Sequence, residues 1–224
     1  MILCIGNVLT DEELLLAQTK LESAAFIDGK VTAGWHARLV KDNTQLSKDS
    51  PVLEDLRSLI NMALQRHRLF QMAARPKCIH PPLISRYEAG MAYGTHTDDA
   101  LMRSQNQLMR SDISFTLFLN SPDDYQGGEL VIESSEGEQD YKLPAGSMIV
   151  YPSSTLHRVE TVTEGVRLAA VSWVQSLIRD PYEREILFDL ETVRQAIFEQ
   201  SGKTGEFDLL SKTHANLLRK WVEC

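Results

Sequence analysis

The chain has 224 residues and a mass of 25.3 kDa, with 43% apolar and 24% charged residues, a net charge of −8 and a pI near 5.3. That size allows one sizeable core with an appendage. The acidic balance argues against a surface for nucleic acid or anionic lipid, since both need clustered Lys and Arg.

The three cysteines, Cys4, Cys78 and Cys224, lie far apart and show no CxxC spacing. This is neither a disulfide framework nor a thiolate zinc site, and it fits a reducing compartment. The opening MILCIGNVLTDEE has no positive flank and no apolar core of useful length, and no apolar run approaches the roughly 20 residues that span a bilayer. The expectation is a cytoplasmic protein that engages neither membrane nor nucleic acid.

Three stretches follow in chain order. In 1–75, an apolar run over Ile2–Leu9 precedes Thr10-Asp11-Glu12-Glu13, an N-cap with acidic residues in the first helical turn. Between two helices, VTAGWHARLV alternates loosely and predicts a strand. A second helix begins near Ser50-Pro51 and runs through Phe70, with Leu53, Leu56, Leu59, Ile60 and Ala63 on one face. Arg66-His67-Arg68 reads as its solvated end.

Over 76–178 the pattern becomes short β-like runs, among them DISFTLFLN, GGELVIE, SMIVYP and VRLAAVSWVQ, separated by turn signals such as Ser121-Pro122-Asp123 and Pro144-Ala145-Gly146. Such punctuation predicts a sandwich or barrel. Gly127-Gly128 reads as a hairpin turn rather than a nucleotide loop. Residues 100–111 are polar and predict a loop, either an ordinary surface connection or a substrate lid. The stretch 179–224 returns to helix, broken at Ser201-Gly202-Lys203-Thr204-Gly205. The fold class is α+β, a β core between helical flanks.

The chemistry gathers at YGTHTDD, residues 93–99. Residues i and i+2 of a strand share a face, so His96 and Asp98 would present an imidazole nitrogen and a carboxylate oxygen to one point, with Gly94 easing the backbone behind them. Asp99 is the rival carboxylate, on the opposite face. A surface His–Asp pair is the plain alternative. His157, at the end of a strand in YPSSTLHRVE, supplies a third donor. Two His and one carboxylate form a facial set that leaves open positions on Fe(II). Arg167, in VRLAAVSW, shares a strand face with Ala169, Val171 and Trp173. A guanidinium there is costly unless an anion meets it, either a protein carboxylate such as Glu129 or a dicarboxylate reaching from the metal. His36, His67, His80 and His214 read as structural or solvated.

These residues carry a resemblance. His96-Thr97-Asp98, His157 and Arg167, within RYEAGMAYGTHTDDALM, DISFTLFLN, DYQGGELVIE and LPAGSMIVYPSSTLHRVETVTEGVR, resemble the bacterial PKHD-type hydroxylases of the Fe(II)/2-oxoglutarate-dependent dioxygenase superfamily, which is prolyl/lysyl hydroxylase-like. The resemblance is strong over 76–178. It implies a double-stranded β-helix, or jelly roll, flanked by N- and C-terminal helices, with 1–75 in support, 76–178 as the dioxygenase core and 179–224 as the helical end. It further implies iron on His96, Asp98 and His157, the distal carboxylate of 2-oxoglutarate on Arg167, Tyr87 beside the cofactor, and ascorbate as reductant. The implied reaction hydroxylates a C–H bond with release of succinate and CO2.

The substrate, small-molecule or peptidyl, stays open, and Arg103 and Arg110 hint at an acidic group on it. The C-terminal helices either cap the barrel or make a homodimer. Two other classes share these residues: a zinc hydrolase with water in the fourth position, and a non-catalytic jelly roll that binds a small acid.

Overall fold

The computed structural model describes residues 1–104 and 107–223. β1 (Leu3–Ile5), α1 (Asp11–Glu22), β2 (Phe26–Asp28), β3 (Lys41–Asp42), β4 (Thr44–Leu46), α2 (Leu53–Arg66), α3 (Arg68–Ala74) and β5 (Pro76–Ile79) come first. β6 (Leu83–Glu88), β7 (Ala92–His96), β8 (Leu101–Ser104), β9 (Gln107–Arg110), β10 (Ile113–Phe118), β11 (Tyr125–Gly127), β12 (Leu130–Ser134), β13 (Gly137–Tyr141), β14 (Met148–Pro152), β15 (His157–Val159) and β16 (Val162–Ser176) build the middle. α4 (Pro181–Ser201) and α5 (Gly205–Trp221) follow and pack on each other.

The main sheet runs β1-β14-β10-β16-β6-β4-β2, with β5 and β11 joined to β16, and all of its pairs are antiparallel. The second sheet runs β13-β12-β15-β7-β3. This jelly-roll core is the architecture that the resemblance implies. Strands from the first 75 residues enter both sheets.

Period-2 alternation divides the core. Phe115, Leu117, Met148 and Val150 face a cluster with Leu56, Ile60, Leu64 and Phe70 of the helices. Their neighbours Phe118, Ile149 and Tyr151 turn to a second cluster with Leu130, Ile132 and Val159 of the other sheet. β10 is covered on both faces, so every one of its residues is buried, the polar Ser114 and Thr116 among them. Thr10 and Glu13 cap α1 reciprocally as a capping box.

Three expectations need correction. VTAGWHARLV is not a strand but two short 3₁₀ turns, Gly29–Thr32 and Ala37–Leu39. Its apolar Val31, Trp35 and Leu39 are exposed, so its loose alternation reflects no buried face. The second helix stops at Arg66, because His67 is extended at ψ 102, and α3 starts a new axis. Within the expected loop, Leu101–Ser104 and Gln107–Arg110 are antiparallel paired strands, β8 and β9. Polar residues on both their faces hide the β period. Gln105 and Asn106, within the expected loop or lid, lie outside the described residues. No helix among the described residues is long and apolar enough to cross a membrane.

Candidate metal centre and cofactor pocket

His96 is the last residue of β7, and His157 is the first of β15. The two are direct antiparallel partners, so strand register alone sets the imidazoles side by side, with ring centroids 4.3 Å apart. Asp98 lies beyond the end of β7, so it meets His96 through the turn of the chain rather than through a shared strand face. One donor atom from each of His96, Asp98 and His157 lies within 4.8 Å of the others, with His157 Nε2 3.8 Å from Asp98 Oδ2. Asp99 is excluded from this cluster. It lies against Gly34, where an added Cβ would come within 3.1 Å of its Oδ2.

Each ring is oriented from behind. His96 Nδ1 faces Gly94 O at 2.9 Å, and His157 Nδ1 faces Thr155 O at 3.0 Å. A carbonyl only accepts, so Nδ1 carries the proton in both rings and Nε2 keeps the lone pair a metal needs. Tyr93 stacks on His96 at 3.7 Å. Burial foremost, then the neighbouring His157, pulls the His96 pKa down to about 4, so its ring is neutral near pH 7 and no proton competes for Nε2. Asp98 Oδ2 accepts from Ser114 Oγ at 2.5 Å, and Ser114 in turn contacts Ser153 Oγ at 2.8 Å. Ser114→Ala removes the group that aims this carboxylate and is expected to weaken Fe(II) binding by about 10- to 100-fold, measured by anaerobic metal titration with the fold unchanged by circular dichroism.

Arg167 stands on β16 opposite Tyr87 of β6. It is only 1% exposed, and its Nε and Nη2 have no hydrogen-bond partner among the described residues. Its guanidinium carbon lies 5.2 Å from the Tyr87 ring and 5.4 Å from that of Phe118. Glu129 does not answer it. Among the described residues, that carboxylate's cation is Lys142, 3.9 Å away. Tyr125 Oη is likewise buried and unpartnered. Burial foremost raises the Tyr87 and Tyr125 hydroxyl pKa values, so both remain O–H donors. Leaving buried donors unmet costs of order 1–3 kcal/mol each, more for a charge, and this pocket keeps several of them. A carboxylate is the acceptor that satisfies such a set bidentately. Gly128 makes the room, for at φ +68 an added Cβ would sit 3.1 Å from Arg167 Cδ and 2.9 Å from Val162 Cγ2.

A cavity of about 450 Å³ between the sheets connects the His–Asp–His cluster to Arg167 and Tyr87. Sequence reasoning overlooks four contributors: Ser114, Tyr93, Tyr125 and Lys41. Tyr93, at the head of YGTHTDD, and Tyr125, near Gly127-Gly128, carried a local signal. His80, expected to be structural, stands in the cavity wall edge-on to Trp173. Arg103 lines the cavity, whereas Arg110 is held by Asp112 and Glu223.

A family model described as the 2OG-Fe(II) oxygenase superfamily matches residues 82–175. PKHD-type hydroxylases of two Synechococcus strains are each 67% identical over 223 residues, covering 100% of both chains. One from Thermosynechococcus vestitus is 60% identical over the same length, again covering 100% of both. Among solved structures, a Trichoplax adhaerens prolyl hydroxylase matches with a TM-score of 0.56 and 14% identity, over 83% of this chain and 86% of its own. A Pseudomonas putida prolyl-4-hydroxylase matches with a TM-score of 0.51 and 17% identity, over 78% of this chain and 92% of its own. At such identities these structures speak for the fold alone. Full-length similarity at 60–67% identity, joined to the superfamily match, places this chain in the PKHD-type hydroxylases of the 2OG-Fe(II) oxygenase superfamily.

Proposed function

We propose that His96, Asp98 and His157 hold the iron of this oxygenase, and that Arg167, with Tyr87 and Tyr125 beside it, receives the far carboxylate of 2-oxoglutarate. The observation that carries the reading is the pairing of two features in one cavity: three convergent donors with both Nε2 atoms free, and a buried guanidinium with unmet donors. The donor set fits ferrous iron, being two neutral imidazoles and one carboxylate. Bound iron and 2-oxoglutarate supply the O2 activation that oxidises a substrate C–H bond, with succinate and CO2 as co-products.

The protein's own work is placement. The backbone carbonyls of Gly94 and Thr155 hold the ring tautomers, and Ser114 fixes the carboxylate. Arg167 sets the reach of the co-substrate by binding its distal end. The apolar walls from Leu130, Val159 and the Tyr151 ring restrict water around the reacting groups. A zinc hydrolase or a mere acid-binding jelly roll would leave the metal cluster or the guanidinium without a task.

The hydroxylated position belongs to an organic small molecule or a peptidyl side chain. Ascorbate as reductant rests on the resemblance, and residence in the cytoplasm on the unpaired cysteine pattern. A homodimer through the C-terminal helices is consistent with the exposed Tyr182, Val193 and Phe198 of α4. The direct test is turnover. With Fe(II), 2-oxoglutarate and O2 the protein is expected to release succinate slowly even without substrate, and with zinc in place of iron to release none. Hydrolytic activity with zinc, or no succinate with iron, would refute the assignment.

A further inference from the structure

The cavity carries more positive charge than iron and 2-oxoglutarate can use. Lys41, Lys48, Arg57, Arg103 and Arg167 line it, against the carboxylates of Asp98 and Asp99. This happens in a chain with 31 acidic and 23 basic side chains. Ferrous iron, Asp98, a doubly charged 2-oxoglutarate and Arg167 together come to neutrality. The remaining cations, of which Arg57 is ion-paired to Glu54 at 2.7 Å, outnumber the one lining carboxylate left among the described residues, Asp99.

Lys41 is the innermost of these. It sits on β3, beside Tyr93 of β7, and is only 5% exposed. Among the described residues no carboxylate lies within ion-pair distance of it. Its Nζ donates to Thr32 Oγ1 at 3.1 Å and stands 5.1 Å from the Tyr93 ring centroid. Thr32 Oγ1 in turn donates to Gln45 Oε1 at 2.5 Å, and Gln45 Nε2 donates to Ser85 Oγ at 3.2 Å. These are neutral groups that orient an ammonium without neutralising it. Burial, the foremost cause, pulls its pKa down to about 8, against the opposing longer-range pull of the Asp98 and Asp28 carboxylates, neither of which pairs with it. A buried charge kept without a counter-ion is expensive and marks a place where an anion arrives.

We propose that Lys41 determines specificity by taking an anionic group of the substrate, a carboxylate or a phosphate, with Arg103 and Lys48 drawing it in from the rim. Tyr93 links the two halves of the site, standing beside Lys41 and stacking on His96. A substrate anchored by its anion at Lys41 therefore lies next to the metal cluster, at a reach fixed by the protein. Like-charged walls in a low-dielectric cleft also concentrate anions and exclude cations. Substrates with a basic group at that end are rejected.

The inference rests on Arg167 being the 2-oxoglutarate residue, so the test fills that place first. The full chain is loaded anaerobically with Mn(II) and 2-oxoglutarate, then titrated by calorimetry with inorganic phosphate and, separately, with acetate. One further anion per chain is expected with at least one probe, and the probe that binds distinguishes a phosphate-bearing substrate from a carboxylate-bearing one. Lys41→Met should weaken that event about tenfold or more, and Lys41→Arg should restore most of it. Affinity for 2-oxoglutarate should stay within about twofold in both variants, because uniform contacts to it lie elsewhere. Arg103→Gln, on the exposed hairpin and clear of the core, should weaken the same event about threefold and serves if Lys41→Met does not fold. No further anion with either probe, or an event unchanged in these variants, overturns the proposal. Loss of 2-oxoglutarate affinity in Lys41→Met with none in Arg167→Met would instead place the co-substrate on Lys41, refuting the reading beneath as well.

Discussion

Arg167→Met is expected to lower 2-oxoglutarate affinity by at least about 30-fold, since truncating one partner of a buried, hydrogen-bonded charge pair costs about 2–5 kcal/mol. Iron affinity should change little, because Arg167 is absent from the cluster that could hold the metal. The same variant makes a second expectation of opposite sign. Without co-substrate, Nε and Nη2 of Arg167 are buried and unmet, so replacing the guanidinium by an apolar side chain of similar length should leave the ligand-free protein as stable as wild type or more so. Anaerobic titration and thermal melts with and without 2-oxoglutarate read both. Wild type should gain Tm on adding metal with 2-oxoglutarate, and the variant should gain much less. A variant that melts far below wild type with unchanged co-substrate affinity would mean that Arg167 serves the core.

The second large effect belongs to Asp98→Ala. It removes the only carboxylate among the three converging donors and leaves two neutral imidazoles, which do not offset the charge of a dication in a buried site. The loss should exceed the about 10- to 100-fold typical of groups that merely support a ligand, giving no stoichiometric Fe(II) at micromolar protein and no succinate. Ser114 also loses its acceptor, but it keeps Ser153 Oγ at 2.8 Å, so the fold should survive. Asp98→Asn separates charge from shape, retaining an oxygen without the negative charge. Full metal occupancy in Asp98→Ala would move the centre elsewhere.

Much of this was legible from residues alone. Helical spacing in Leu53, Leu56 and Ile60 marks a buried face whatever packs on it, because the period of an α-helix is local. The unbroken apolar run MIVY of β14 advertises burial on both faces. The pairing of His96-Thr97-Asp98 with a later His and a strand Arg signals chemistry, because a guanidinium among small apolar neighbours needs an anion. Where local contrast was weak, the reading failed. The segment around Trp35 buries little beyond Ala37, and the paired strands β8 and β9 have polar residues on both faces.

Length, charge, the helix and strand periods and the five residues first singled out at the site were thus fixed by the order of amino acids, since each depends on spacing along the chain. Tertiary structure alone decided which groups meet. His157 faces His96 because β15 pairs with β7, 61 positions apart in number. Ser114 and Lys41 join the cavity because sheet pairing carries them there. No periodicity encodes an encounter between distant strands. The packed fold alone shows that the guanidinium of Arg167 and the ammonium of Lys41 are both buried with no carboxylate within ion-pair distance among the described residues.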